Sequence, residues 1–365
     1  MKKRTALLFF IGLVLIFLLF GTVNLKKVEE KLFSRPLSQL LLYLFFIFII
    51  QMVAILFSAL KWKAILKDSN VSMRNLLPAT FVGYLVNNIT PVGIAGGEPI
   101  RAYILHKTEK VNMPTAASSV IVDLYLEIVP MLTLLFVSIV LILLKGIPIE
   151  LAFIASALGF TLLVVLLASL KLIGKQENSF SILLMISRVF RKFPLLNRYS
   201  EKIKKNAAEI SSKFNSAMEL QLMNLEIIIQ GVLFSFFSWL FRVLRLYFVF
   251  LAIGAQISIS TALIVETLVP VISCIPILPG ALGIWEWSSV EIITLITTFL
   301  DKTPVTREDA LIGTIMNRLF SYLLPSVFGL IFSVYLGINL SKLTRAQEYD
   351  ALIKKEILRK RKMNF

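Results

Sequence analysis

The sequence predicts an all-α polytopic membrane protein, with about six full spans and two re-entrant hairpins arranged as an inverted repeat. Hydrophobic residues make up 57% of the 365 residues and charged residues only 16%, a balance that would leave a soluble domain with large exposed apolar patches. The 38 Lys and Arg residues outnumber the 22 Asp and Glu residues, which gives a net charge of +16. These basic residues lie between apolar runs, so they indicate cytoplasmic loops and no nucleic-acid partner.

Six apolar stretches are long enough, or nearly long enough, to cross a hydrocarbon core of about 30 Å as helices. They are Ala6–Val23, Leu40–Leu60, Ala116–Leu144, Leu151–Leu170, Leu225–Leu251 and Ala310–Leu340. The first stretch follows Met1-Lys2-Lys3-Arg4, and no small-x-small cleavage site follows it. We therefore interpret it as a retained signal anchor.

Two further apolar stretches are broken by proline and glycine. Leu76–Leu105 and Thr261–Leu300 contain several residues of both types, which are disfavoured inside helices. Non-helical backbone at membrane depth survives only when it is buried in protein or lines a wet cavity. We therefore predict that both stretches are re-entrant hairpins. The alternative is that each stretch forms two kinked full spans.

Lys and Arg residues between the spans predict the orientation. The basic linker 171–224 and the basic tail 341–365 belong in the cytoplasm, together with both termini and the segment from Lys61 to Arg74. We therefore expect a multi-pass protein of the cell membrane. Within the linker, the stretch Ile182–Phe190 mixes apolar and basic residues, a pattern typical of an amphipathic segment on anionic lipid. A solvated connector is the alternative.

The chain, 1–365, is predicted to be a single integral membrane domain that contains two inverted repeats. In the predicted orientation, residues 38–144 and 225–340 each contain a span, a broken hairpin and a long span with one proline. Seven residues before that proline lies a charge, Asp123 in one repeat and Arg318 in the other. Secondary transporters typically bind substrate at the interface of such repeats. We therefore expect Asp123 and Arg318 to meet near the midplane.

The first hairpin carries charged residues within a glycine-rich turn, which reads T-P-V-G-I-A-G-G-E-P-I-R-A. Gly93, Gly96 and Gly97 would let backbone N–H groups approach an anion closely. Glu98 suits the positive end of a helix, and Arg101 offers a planar fork that matches phosphate. The alternative is a tight packing turn in which Glu98 is a cap and Arg101 extends to the interface.

Two motifs resemble the signature segments of a known family. G-G-E-P-I-R-A at Gly96–Ala102 and L-P-G-A-L-G-I-W-E at Leu278–Glu286 look like those of the lysylphosphatidylglycerol synthase transmembrane-region family. This flippase-like family is similar to the membrane half of the bacterial multiple peptide resistance factor, and the resemblance covers nearly the whole chain. It implies a role in moving or handling lipid-linked polar groups across the bilayer. The residues that it marks are Gly96, Gly97, Glu98, Arg101, Pro279, Gly280, Gly283 and Glu286.

The chain departs from the family pattern in two places. Ala281 stands where a second glycine is common in the family, which weakens the expectation of a wide backbone nest in the second hairpin. The sequence ends at Phe365 without a soluble aminoacyltransferase domain. The synthase activity in the family name is therefore not expected.

Ionisable residues inside the predicted spans complete the candidate substrate site, because charges at membrane depth normally face a cavity or a partner. Asp123 and Glu127 lie four residues apart on one helix face, and Arg242 and Arg245 lie three apart on another. Arg318 belongs to the same set. We predict a cavity in which arginines hold a lipid phosphate and carboxylates balance or relay charge. Static ion pairs between helices are the alternative.

The sequence therefore predicts a flippase-like protein that moves or handles anionic lipid or lipid-linked polar head groups. Two alternatives stay open: a membrane-embedded subunit of a polyprenyl-phosphate glycosyl or aminoacyl lipid transferase, and an ion-coupled small-solute transporter. The sequence has no Walker loop, nucleotide fingerprint, zinc motif or serine elbow, so we expect no enzyme, cofactor or metal site. The expected partners are membrane lipids, with a separate soluble transferase and a second copy of the chain as further candidates.

Overall fold

The computed structural model describes residues 3–24, 26–27, 30, 36–90, 96–173, 207–273, 278–301 and 303–338, and these residues form helices without strands. The eleven helices in this part of the chain are α1 (Lys3–Phe20), α2 (Leu37–Ile65), α3 (Met73–Ile89), α4 (Glu98–Glu109), α5 (Met113–Leu144), α6 (Ile149–Ile173), α7 (Ala207–Met223), α8 (Leu225–Ile253), α9 (Ile259–Ser273), α10 (Ile284–Leu300) and α11 (Arg307–Tyr335). A π-helical turn, Leu319–Leu323, interrupts α11. The predicted all-α polytopic fold is confirmed.

Five helices in the described residues are long and apolar enough to cross a membrane, namely α2, α5, α6, α8 and α11. They coincide with five of the six stretches that the sequence predicts as spans. The remaining stretch, Ala6–Val23, corresponds to α1, whose described apolar part, Phe10–Phe20, is shorter than these five. The role of α1 as a membrane anchor therefore stays a prediction.

Short polar residues and glycine set the boundaries of the long helices. The side chain of Asn112 accepts a backbone hydrogen bond in the first turn of α5, and that of Asn224 accepts two in the first turn of α8. Thr306 caps α11 in the same way. Gly254, with a left-handed φ of 84°, ends α8. These caps satisfy backbone groups that the helix ends would otherwise leave without partners.

Both proline- and glycine-rich stretches form two helical arms that pack against each other. The arms are α3 and α4 in hairpin 1 (residues 73–109), and α9 and α10 in hairpin 2 (residues 259–300). The four arms contain 17, 12, 15 and 17 residues. Each arm is therefore about 18–26 Å long, less than a hydrocarbon core of about 30 Å. These lengths support the predicted hairpins, whose re-entrant topology stays a prediction.

The two halves of the chain pack through equivalent pairs of helices. The first helices of the predicted repeats, α2 and α8, pack against each other. In hairpin 1, α3 packs against α11 of the other half, whereas α4 packs against α5 of its own half. In hairpin 2, α9 packs against α5 of the other half, whereas α10 packs against α11 of its own half. This reciprocal exchange supports the inverted repeat of residues 38–144 and 225–340, which stays a prediction.

Phenylalanine side chains fill two of the contacts between the halves. Phe57 of α2 stacks against Phe237 and Phe241 of α8, with ring centres 5.3 and 5.6 Å apart. Phe81 of α3 packs against Phe328 of α11, with ring centres 5.5 Å apart. Some of the 28 phenylalanine residues of the chain therefore hold the two halves together.

The described end of the basic linker 171–224 is the helix α7, which packs against α5. Phe214 and Met218 of α7 are fully buried in a cluster with residues of α2 and α5. This end of the linker is therefore part of the packed bundle and not a solvated connector. The predicted amphipathic stretch Ile182–Phe190 and the basic tail 341–365 lie outside the described residues.

The close approach of the two arms of hairpin 1 depends on Gly97. A Cβ at this position would clash with the carbonyl group of Gly83, which is backbone and cannot rotate away. We expect Gly97→Ala to lower the free energy of unfolding by about 1–3 kcal/mol, the usual cost of overpacking. Thermal unfolding in detergent measures this loss. The control is Gly159→Ala, because its Cβ would meet only the flexible end of the Leu135 side chain. Equal melting temperatures of the two variants would contradict the close packing of the arms.

Candidate functional site

A chain of alternating charges links helices around α5. Arg101 of α4 donates hydrogen bonds to Asp123 of α5 and to Glu98 of its own helix, both over 2.8 Å. Lys61 of α2 lies 3.2 Å from Asp123 Oδ1 and 2.5 Å from Glu127 Oε2. Glu127 in turn pairs with an arginine of α8. We name this set the charge ladder: Glu98, Arg101, Asp123, Lys61, Glu127 and Arg242.

Most of the charge ladder is buried. The side chains of Glu98, Arg101, Asp123 and Lys61 are only 3–10% exposed. The ring of Trp62 covers the guanidinium of Arg101, whose central carbon lies 4.2 Å from the ring centre. An unpaired charge is costly at membrane depth, so each of these groups depends on its partners. This part of the ladder fits static ion pairs between helices.

Arg242 and Glu127 form the more exposed end of the charge ladder, because their side chains are 22% and 21% exposed. Arg242 Nη2 donates to Glu127 Oε1 over 2.9 Å, and its guanidinium lies 4.7 Å from the centre of the Trp239 ring. Ser235 donates to Glu127 Oε2 over 3.1 Å. Within the described residues, the other two nitrogens of Arg242 make no hydrogen bond. Arg242 therefore has donors left for a second anionic partner.

A second partly exposed arginine connects hairpin 2 with α11. Arg318 Nε donates to Glu286 Oε1 over 2.8 Å, and Nη2 donates to the carbonyl oxygen of Gly280. The guanidinium lies 4.8 Å from the centre of the Trp285 ring and 4.4 Å from that of the Tyr322 ring. The side chain of Arg318 is 17% exposed, whereas that of Glu286 is 6% exposed. Arg318 thus resembles Arg242, with one carboxylate partner and an aromatic support.

The turn of hairpin 2 depends on left-handed backbone conformations. Gly280 and Gly283 have φ values of 58° and 84°, which glycine adopts readily. Ala281 has a φ of 52°, a conformation that strains a residue with a side chain. Glu286 accepts a hydrogen bond from the N–H of Gly283 over 2.6 Å and so caps α10. Glu286 therefore holds both the turn and Arg318.

The ends of the two hairpins meet at the π-helical turn of α11. The hydroxyl of Tyr322 donates to the carbonyl oxygen of Asn88, at the end of α3, over 2.7 Å. Asn88 Nδ2 donates back to the carbonyl oxygen of Tyr322 over 3.1 Å and to Ser326 Oγ over 2.9 Å. A Cβ on Gly280 would lie only 2.6 Å from Tyr322 Oη. We name Asn88, Gly280, Arg318, Tyr322 and Ser326 the hairpin junction. This junction lies at a π-helical turn, and such turns are frequent at functional sites.

Arg245 lies in a separate and more deeply buried network. It donates to Glu266 of α9 over 3.0 Å, to Asn317 of α11 over 2.8 Å and to Gln51 of α2 over 2.5 Å. Arg245 itself is 3% exposed. Its guanidinium thus connects α8 with three other helices and has the geometry of a structural ion pair.

Two expectations from the sequence are wrong. The sequence places Lys61 in a cytoplasmic loop, but Lys61 lies within α2 and is 2% exposed, because the carboxylates of α5 draw it inward. The second wrong expectation is the direct contact between Asp123 and Arg318. In the part of the chain that the structure describes, no ion pair or hydrogen bond joins these two side chains. Asp123 instead binds Arg101 of hairpin 1, and Arg318 binds Glu286 of hairpin 2. Each of these two charges thus pairs with the hairpin of its own half. The sequence predicts instead that the two charges pair with each other across the halves.

The glycine-rich turn of hairpin 1 is only partly described. Gly96 and Gly97 precede α4, and the N–H of Gly97 donates to Asn87 Oδ1 over 2.6 Å, so this amide is already bound within the protein. Gly93 lies outside the described residues, and of Pro279 in hairpin 2 only the backbone is described. Asn87, like the asparagine and tyrosine of the hairpin junction, carries no sequence signal that separates it from an ordinary interface residue.

Long apolar helices, two broken helical hairpins and charges paired across helices define an integral membrane protein of the polytopic α-helical class. A family model described as the lysylphosphatidylglycerol synthase TM region matches residues 5–329. The chain therefore belongs to that family, and the resemblance of the two motifs is confirmed.

Similar proteins are known from archaea. The chain is 27% identical to a UPF0104 membrane protein of Methanothermobacter thermautotrophicus, in an alignment that covers 94% of this chain and 98% of the relative. It is 26% identical to a UPF0104 membrane protein of Pyrococcus horikoshii, with 90% of this chain and 96% of the relative covered. A third relative, from Methanocaldococcus jannaschii, is 22% identical, with 90% and 94% covered. The likeness thus extends along nearly the whole length of each protein.

The pairing of Arg318 leads to a test by double-mutant cycles. We expect Arg318→Gln and Glu286→Gln to couple by about 0.5–2 kcal/mol, because the two side chains share a hydrogen bond. Arg318→Gln and Asp123→Asn should be additive, because Asp123 binds other residues. Unfolding of the single and double variants in detergent measures both couplings. Coupling in the second pair that equals or exceeds that in the first would contradict the observed pairing.

Proposed function

We propose that the protein moves or handles anionic lipids, or lipid-linked polar head groups, across the bilayer in a flippase-like manner. The observation that carries this proposal is the place of Arg318, a partly exposed cation at the hairpin junction. Its helix neighbours Ile315, Leu319 and Leu323 are 39%, 48% and 51% exposed, as expected of side chains that face lipid. An anionic head group bound to Arg318 would therefore have an apolar surface beside it for its acyl chains.

Arg242 and Arg318 share the chemistry expected of head-group binding residues. Each pairs with one carboxylate and lies over a tryptophan ring. A guanidinium binds phosphate oxygens as it binds carboxylate oxygens, and an aromatic face keeps its plane in place. Beside Arg242, the buried Trp239 Nε1 has no hydrogen-bond partner in the described residues and offers a further donor. A phosphate group can therefore exchange with the carboxylate at either arginine.

Arg101 and Arg245 have structural roles in this proposal, although the sequence groups them with the substrate residues. They are only 6% and 3% exposed. Arg101 is bound by two carboxylates, and Arg245 by one carboxylate and two side-chain amides. Releasing either guanidinium would leave buried carboxylates uncompensated, which is costly. We assign them to holding the helices that position Arg242 and Arg318.

The paired hairpins support transport over catalysis. In transporters built from inverted repeats, the binding site lies where broken helices of both halves meet. Here the hairpins meet at Tyr322, next to Arg318.

We further propose that the protein lies in the cell membrane with both termini in the cytoplasm, and that the chain itself has no enzymatic activity. A soluble transferase and a second copy of the chain are its candidate partners.

Lipid movement in liposomes tests this function. The full chain is reconstituted with fluorescent phosphatidylglycerol, and a membrane-impermeant reductant bleaches the outer leaflet. We expect Arg242→Gln and Arg318→Gln each to slow the exchange between leaflets about tenfold or more, because each variant loses a charge-assisted hydrogen bond. Arg307→Gln is the matched control: Arg307 also pairs with a glutamate and lies near a tryptophan, but at the exposed start of α11. It should keep the parent rate.

Three results would contradict the proposal. Equal rates in the parent and in both arginine variants would remove these residues from lipid binding. Uptake of a soluble anion without lipid movement would favour the small-solute transporter. Transfer of a labelled sugar or amino acid to a lipid by the purified protein would favour the transferase subunit.

A further inference from the structure

Glu127 is a carboxylate with a cation on each side. Its Oε2 accepts from Lys61 over 2.5 Å and from Ser235 over 3.1 Å, and its Oε1 accepts from Arg242 over 2.9 Å. The side chain of Glu127 is 21% exposed, compared with 10% for Glu98 and 7% for Asp123. Within the charge ladder, Glu127 is therefore the most exposed carboxylate.

The charge ladder is neutral as it stands, because its three carboxylates balance its three cations. A phosphodiester head group at Arg242 adds one negative charge and takes the Arg242 N–H bond from Glu127 Oε1. An uncompensated charge in this setting is costly. A proton from water that binds the free Glu127 oxygen gives a neutral carboxylic acid and restores the balance.

We propose that Arg242 binding of an anionic phosphate head group is coupled to uptake of one proton by Glu127, so that lipid and proton enter the site together. This inference rests on the proposed function and specifies its charge balance. Arg242 exchanges one oxygen acceptor for another, and Lys61 stays bonded to Glu127 Oε2 in both states. Lipid movement would then be driven in the direction in which protons flow.

Most of the other titratable groups near Glu127 already have partners. On α5, Asp123 binds Arg101 and Lys61. Further titratable groups lie on helices packed against α5 or near Arg242. They include Tyr84 of α3, which contacts Ser58, Glu98 of α4, bound to Arg101, Glu209 and Lys213 of α7, which pair with each other, Glu226 of α8, paired with Lys67, and Glu266 of α9, bound to Arg245. Tyr125 of α5 packs against the cluster that contains Phe214 and Met218, and Glu150 lies at the exposed start of α6. The hydrogen bond from Lys213 lowers the pKa of the exposed Glu209 carboxyl, which keeps it charged. Glu127 differs from these groups because its partner, Arg242, is itself proposed to bind the substrate.

Calorimetric titration of the full parent chain in detergent tests the coupling without any substitution. The probe is a short-chain phosphatidylglycerol, and the titration is repeated in buffers of different ionisation enthalpy. We expect uptake of about one proton per bound lipid, and an apparent Kd that rises by up to about tenfold per pH unit between about pH 5 and 8. Dimethyl phosphate, a soluble phosphodiester that carries one negative charge throughout this pH range, is titrated in the same way as the soluble comparison.

Glu127→Gln and a matched control identify the proton site. Glutamine keeps the hydrogen-bond acceptor but cannot take up the proton, so its Kd should be independent of pH over the same range. The control is Glu226→Gln, because Glu226 lies on an exposed face at the start of α8 and pairs with Lys67. It should retain the slope of the parent.

The outcomes separate this inference from the function on which it rests. If the parent binds no phosphatidylglycerol at any pH, both the proposed function and the coupling are overturned. If the parent binds the lipid without proton uptake, or if Glu127→Gln keeps the slope, the coupling alone is overturned. If proton uptake accompanies dimethyl phosphate but not the lipid, the site takes a soluble anion and the lipid assignment is overturned.

Discussion

The pairing of charge inside the bundle is the constraint on which the rest of the structure depends, and Asp123 is at its centre. One carboxylate holds Arg101 of hairpin 1 at 2.8 Å and Lys61 of α2 at 3.2 Å. Without it, two buried cations would face each other in a medium that screens them poorly. Asp123 of α5 therefore connects α2 and α4 through one side chain. The glycines of hairpin 1 then allow the close packing that this pairing requires.

The two halves use the same arrangement with opposite charge. Hairpin 1 supplies a cation, Arg101, to an anion on its long helix, whereas hairpin 2 supplies an anion, Glu286, to a cation on its long helix. Asp123 and Arg318 occupy matching positions, each seven residues before the proline of that helix. In each half the hairpin thus pairs with a charge on the long helix, but in the half that contains hairpin 2 the long helix carries the cation. This asymmetry would give a negatively charged head group a preferred half in which to bind.

The sequence predicts the long helices well, because apolar runs of about 20 residues have few other structures available in a membrane. It also identifies Glu98, Asp123 and Arg318 as charges that need partners. It does not identify those partners, since they depend on how each hairpin folds back between the halves. Lys61 illustrates the limit: a lysine at the end of an apolar run has the same pattern whether it enters a loop or turns toward carboxylates. The sequence does not identify Tyr322, because a tyrosine within an apolar helix normally indicates the membrane–water interface.

The π-helical turn Leu319–Leu323 determines which side of α11 each hairpin meets. Successive residues of an α-helix are rotated by about 100°, so the extra residue of a π turn rotates everything after it by a similar angle. Before the turn, Arg318 contacts hairpin 2; after it, Ser326 and Gly329 contact α3 of hairpin 1. If this turn were one residue shorter, the order of the side chains along α11 would be unchanged, but the residues after the turn would point in a different direction. α11 could then keep its present contacts with only one of the two hairpins. The register of α11 is thus specified by a count of residues as much as by their chemistry.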